Sequence, residues 1–413
     1  MDRREFFQTG LGAIAAGVAV QPAVAQTPAP AERAAKTLKV DAYSRHLQWL
    51  RTADEVAEAV VEMGYDGVDI TVRPYPGHVD PTKVATDLPP FVNTIRKHGL
   101  QVVTMTCPIT DADSPNAEQL LATASYLGLT HYWWGTFRYE QGKPIMPQLE
   151  ALKPRVEKLA ALNAKYKMKA MYHTYSGGGT VGSAIWDFLH VLRNFDPAQV
   201  GFHYDVGHMT NAGGNGTWAL NLRAAGPYVA GVSAKDSVME PTLQVSGGGP
   251  LTPEMAATVA ASGRGRGGPG GGSPPGGGGR AGGDAAGAGA AGGGAPGRGA
   301  GDGRGPGGGA RGGSTAAGPG AGGRGGRGGG NGGTPGWRVR QVPLGTGMDD
   351  LLQFAAILKE IDFSGPIEVQ AEYPNGGAQN AQDKITLPRE QVLGAMKRDL
   401  LALRMAFHPA GLL

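Results

Sequence analysis

Asp205-Val206-Gly207-His208 and Glu372-Tyr373 are the residues of this chain best suited to chemistry. The first motif ends the apolar run that starts at Val200, and the second ends the run that starts at Ile367. A carboxylate and an imidazole on one run end, with a second carboxylate on another, are donors that a divalent ion takes. Tyr172-His173-Thr174-Tyr175 and Ser233-Ala234-Lys235-Asp236 end two further runs. His173, Asp205 and Glu372 are therefore expected to be metal ligands, with His208 close by to join them. His203 shares a face with Asp205 but lies deeper in its run, which makes it structural. Arg73, His78, Trp134, Arg138 and Tyr139 fall at or just past other run ends. There, rings offer apolar faces to a ligand, and Arg suits a carboxylate or phosphate.

These motifs do chemistry only if the chain brings the run ends together. Short apolar runs are expected to form strands at 38–42, 67–72, 102–107, 130–134, 169–174, 200–205, 229–235 and 367–373. Helical patterns alternate with them. One starts at Thr52, where Glu55 completes a capping box, and another at 349–361 carries Leu351, Leu352, Phe354, Ala355 and Leu358 on one face. Eight strand–helix units predict an α/β (β/α)8 TIM barrel, which builds its site at the C-terminal strand ends. No Gly-x-Gly-x-x-Gly follows the first run, which weighs against a dinucleotide fold.

Composition sets the surroundings. Arg3-Arg4 ahead of Phe6-Phe7, an apolar run over 11–20 and Ala23-Val24-Ala25 resemble a Tat-type signal peptide at 1–25. The run is too short to span a bilayer, so no stable membrane insertion is expected after cleavage. The expected location is periplasmic, with the Tat export machinery as a partner. Cys107 is the only cysteine, so no internal disulfide forms. Most of the 71 glycines fall in 247–336, a Gly/Ala/Pro/Arg-rich stretch read as a disordered insertion after the seventh strand. It divides the barrel into 38–246 and 337–413. Arg-Gly repeats can bind single-stranded nucleic acid, but in an exported chain with net charge +3 no nucleic-acid partner is expected.

Outside the insertion, the chain from about residue 38 to 405 resembles the xylose-isomerase-like TIM barrels, the sugar phosphate isomerase/epimerase group. The motifs above carry the resemblance, together with Val342-Pro343-Leu344-Gly345-Thr346-Gly347. It implies a small-molecule sugar substrate and a divalent ion, Mn2+ first, with Mg2+, Co2+ or Zn2+ as alternatives. It also implies that Asp205 and Glu372 bind the ion while His208 and Lys235 approach substrate oxygens. Glu372, His208 and Lys235 become the catalytic set, and His78, Trp134, Arg138 and Lys235 the substrate contacts. Proton transfer next to a carbonyl of a free or oxidised sugar is the implied reaction. Two departures stand out: the fifth-strand Glu of the family is absent, and Ser233 replaces its His on the seventh strand. A lyase or hydratase, or a non-catalytic periplasmic sugar-binding barrel, are the alternatives these departures raise.

Overall fold

In the computed structural model the described residues are 37–214, 216–241 and 337–413. The segment expected to be a signal peptide, 1–25, and the glycine-rich stretch at 247–336 lie outside them. Eight strands close a parallel barrel: β1 (Val40–Tyr43), β2 (Gly67–Thr71), β3 (Gln101–Thr106), β4 (His131–Trp134), β5 (Lys169–His173), β6 (Val200–Asp205), β7 (Val229–Ala234) and β10 (Ile367–Val369). Their order is β1-β10-β7-β6-β5-β4-β3-β2, so β10 closes the ring between β7 and β1. The expected TIM barrel is the observed one.

Local rules set the helices. Before α1 (Ala53–Met63), the Thr52 hydroxyl accepts from the Glu55 N–H and the Glu55 carboxylate accepts from the Thr52 N–H, while Gly64 ends the helix at φ 86°. The other α-helices among the described residues are α2 (Val84–Lys97), α3 (Ala117–Tyr126), α4 (Ile145–Tyr166), α5 (Trp186–Leu192), α6 (Val206–Gly213), α7 (Trp218–Ala225), α8 (Leu351–Glu360) and α9 (Arg389–Phe407). Helix α2 covers the helical pattern expected at 91–98 but begins seven residues earlier and runs through Pro89 and Pro90. Helix α6 has no counterpart in the sequence reading. Nor has a two-stranded antiparallel ribbon, β8 (Asp236–Pro241) with β9 (Trp337–Val342), paired from Asp236↔Val342 to Pro241↔Trp337.

Two regions are buried. The larger is apolar and lies between strands and helices, where Trp134, Tyr172, Phe188 and Phe202 pack at ring separations from 4.1 to 6.1 Å. The other is the barrel interior, and it is polar where such interiors are usually branched and apolar. Asp41, Asp69, Thr104, Thr106, His203 and Glu368 are all buried there. Thr106 donates to Asp69 at 2.7 Å and Gln101 to Asp41 at 2.8 Å. Gly67 lies so close to Asp41 that a Cβ would sit 2.3 Å from its Oδ1. Above this layer, Trp133 stacks between Tyr43 and His173, with ring centroids 5.2 and 4.1 Å away.

Candidate active site

Asp205 is both the last residue of β6 and the N-cap of α6. Its Oδ1 accepts from the His208 N–H at 2.8 Å, which fixes the imidazole one turn above the carboxylate. His208 Nδ1 lies 3.0 Å from Ser176 Oγ, and its Nε2 lies 2.9 Å from Lys235 Nζ. An ammonium can only donate, so Nε2 accepts and the network assigns the proton to Nδ1. Lys235 is the hub. Its Nζ also lies 3.0 Å from Asp205 Oδ2, 3.2 Å from Gln370 Oε1 and 3.3 Å from Glu372 Oε2. The Asp205 contact is an ion pair without hydrogen-bond alignment. Asn380 Nδ2 donates to the other Glu372 oxygen at 2.8 Å.

The charges follow from these neighbours. Burial alone would lower the Lys235 pKa, but the Asp205 and Glu372 carboxylates outweigh it and hold the ammonium charged. Burial opposes ionisation of Asp205, yet Lys235, His208 and His173 hold its pKa well below the carboxylate range. Glu372 follows the same pattern, with burial opposed by Lys235, His46 and His208. The His208 imidazole is pushed down to about 3, first by burial and then by Lys235, so it is neutral near pH 7.

His173, Asp205 and His208 each present a donor atom, and these atoms lie within 4.8 Å of one another. His173 Nε2 lies 3.4 Å from Asp205 Oδ2, but neither ring nitrogen of this buried imidazole makes an aligned hydrogen bond among the described residues. An imidazole left so costs roughly 1–3 kcal/mol unless a ligand completes it. Two imidazoles and a carboxylate suit a borderline divalent ion, so these three residues fit one. Glu372, expected as a fourth ligand, stands outside this set and meets it through Lys235. An ion drawing on Asp205 and His208 shares both with the ammonium.

Of the expected substrate contacts, only Lys235 joins the cluster. Trp134 is buried behind the barrel wall, packed on Phe137, Tyr172 and Phe188, with its indole N–H on the Thr110 carbonyl at 2.8 Å. Its neighbour Trp133 takes the inner face instead and stacks on His173. His78 lies 3.2 Å from the Leu47 carbonyl and packs on Phe91, and Arg138 is exposed in a backbone bridge to Thr180. His203 sits in the polar layer, 3.8 Å from Glu368, as its deeper position implied. Ser233 aligns with Asp205 across the β6–β7 pairing, and its buried hydroxyl has no partner among the described residues. Gln370, Asn380 and Ser176 were not singled out from sequence. Gln370 had a signal, since period two along the apolar run 367–373 puts it on the Glu368–Glu372 face.

Several solved structures share this architecture. An IolI protein with a bound zinc atom aligns at TM-score 0.53 and 12% identity, over 90% of this chain and 99% of that one. The D-psicose 3-epimerase of Clostridium cellulolyticum H10, with D-tagatose, aligns at TM-score 0.51 and 10% identity, again over 90% and 99%. At such identities the likeness is one of fold. No curated protein sequence matches the chain. The family model for xylose isomerase-like TIM barrels matches residues 57–264, half of the chain. With that match, the closed eight-stranded barrel and the buried group at its mouth, the chain belongs to the xylose isomerase-like TIM barrel family.

Proposed function

We propose that this barrel is a metal-dependent sugar isomerase or epimerase that moves a proton next to a carbonyl. The observation that carries the reading is the grouping of Asp205, His208, Lys235 and Glu372 at the barrel mouth. Glu372, ionised and about a quarter exposed, is the base that takes the proton from the carbon beside the carbonyl. Asn380 and Lys235 hold its two oxygens and aim it. The Lys235 ammonium stabilises the ene-diolate as charge develops, giving a proton to the former carbonyl oxygen and taking one back from the neighbouring hydroxyl. His173, Asp205 and His208 would hold a divalent ion, with Mn2+ expected first and Mg2+, Co2+ or Zn2+ as alternatives. When bound, it supplies Lewis-acid polarisation of the carbonyl.

One base favours isomerisation, in which the same carboxylate returns the proton to the neighbouring carbon. Epimerisation needs a second proton carrier. We assign that role to His46, which is buried against Tyr43 and has neither ring nitrogen partnered among the described residues. A second reading, a non-catalytic sugar-binding barrel, is favoured by Ser233 standing where an imidazole is expected. Solvent deuterium uptake by a panel of aldoses and ketoses separates the two, since a binding protein exchanges nothing. We expect Glu372→Gln to slow that uptake by about 10²–10⁴-fold while sugar binding persists. Full turnover in this variant would remove Glu372 as the base. Periplasmic export by the Tat route is part of the proposal, and fractionating cells into cytoplasm and periplasm tests it.

A further inference from the structure

Beside the cluster lies a cavity of about 530 Å³, within the range that holds small organic ligands. Its walls are the loop between β5 and α5, the end of α6, the start of α7, and the ribbon residues Met239 and Val339. Ser176 belongs to both places, since it lines the cavity while its Oγ lies 3.0 Å from His208 Nδ1. Trp186 lines the cavity and is 59% exposed, with its indole N–H on Asn221 Oδ1 at 3.0 Å. That bond orients the ring while leaving its face open. Asn211 donates nothing from its buried Nδ2 to any described residue, although its Oδ1 accepts from Ser237. Among the described lining residues there is no Lys or Arg. Asp187, the one charged residue among them, is occupied by the Tyr139 hydroxyl and the Gly182 N–H.

An aromatic face, an unpaired amide N–H and no cation among the described lining residues suit an uncharged sugar ring better than a phosphate or carboxylate. We propose that this cavity is a second-sugar subsite. The substrate is then a glycoside: its reacting ring lies at the Lys235–Glu372 mouth and its second ring lies against Trp186. The inference rests on the isomerase or epimerase reading for the reacting ring only.

The test titrates neutral disaccharides (glucosides, galactosides and xylosides) and their component monosaccharides into the full mature chain by calorimetry. Deuterium uptake is measured for each sugar in parallel. We expect at least one disaccharide to bind tenfold or more tighter than either component. Trp186→Ala should bring that ratio close to one. Gly178→Leu should do the same by filling the cavity, because a Cβ at this lining residue meets nothing within 4 Å. If no disaccharide outbinds its components, or if the advantage survives both variants, the subsite is overturned. Uptake into monosaccharides without a disaccharide advantage sinks the subsite and leaves the isomerase reading standing. A Trp186-dependent advantage with no uptake into any sugar does the reverse.

Discussion

Lys235 holds Asp205 and Glu372 in place with a single positive charge, and it does so where imidazole and carboxylate donors converge. Removing one partner of a buried ion pair typically costs about 3–5 kcal/mol, because a charge is left without its counter-ion. Lys235→Met should therefore destabilise the metal-free protein by that order. Mn2+ or Zn2+ should then raise the variant's Tm by more than it raises that of the wild type, since the ion no longer competes with an ammonium. Equal metal-induced Tm shifts in the variant and the wild type, read by thermal denaturation, would refute the competition. At this scale the sequence was half legible. Asp205, His208 and Glu372 announce themselves by residue type at run ends. The choice between Trp133 and Trp134 did not, because adjacent strand residues face opposite sides and only the register decides which looks inward. Asn380 was invisible for another reason: it reaches Glu372 from a loop, where no periodicity marks a face.

At the scale of elements, the capping box of α1 and the Asp350 cap of α8 follow from short-range chemistry that a sequence displays. Helix α2 extends N-terminal to the pattern at 91–98 through Pro89 and Pro90, which remove two N–H donors, a loss that packing of Leu88, Phe91, Val92 and Ile95 offsets. Strand β10 is shorter than its apolar run, so Glu372 stands three residues beyond the last ladder pair, on a segment free to reach Lys235. The polar lining of the strands has a thermodynamic consequence. Burial pushes the Asp41 carboxyl up to about 8 from an ordinary value of 3.8. Below about pH 4 both folded and unfolded chains hold this proton. Between there and pH 8 only the folded chain does, so stability falls as pH rises. Asp41→Asn should thus be more stable than wild type at pH 8 by over about 1 kcal/mol, with the gap closing toward pH 4. Chemical denaturation at the two pH values checks this, and a gap independent of pH would show Asp41 ionised in the fold.

For the whole molecule, the barrel was the safest reading, because eight alternations leave few ways to bury every strand. The ribbon was hidden, since β8 and β9 are separated by the glycine-rich sequence and neither shows its partner. Their pairing brings Pro241 and Trp337 face to face, so the chain between them leaves and returns at one point. Replacing residues 242–336 by a short turn should leave Tm within a few degrees and deuterium uptake unchanged. A large loss of stability would assign that stretch a packing role. The same pairing bears on the kinetics of folding. Val232 of β7 must find Ile367 of β10 across a long separation, and such distant pairings normally slow folding. Once β8 and β9 zip together, most of that separation is bypassed. Closure of the barrel then searches a far shorter effective loop, and its rate should depend only weakly on how many residues lie beyond the ribbon's tip.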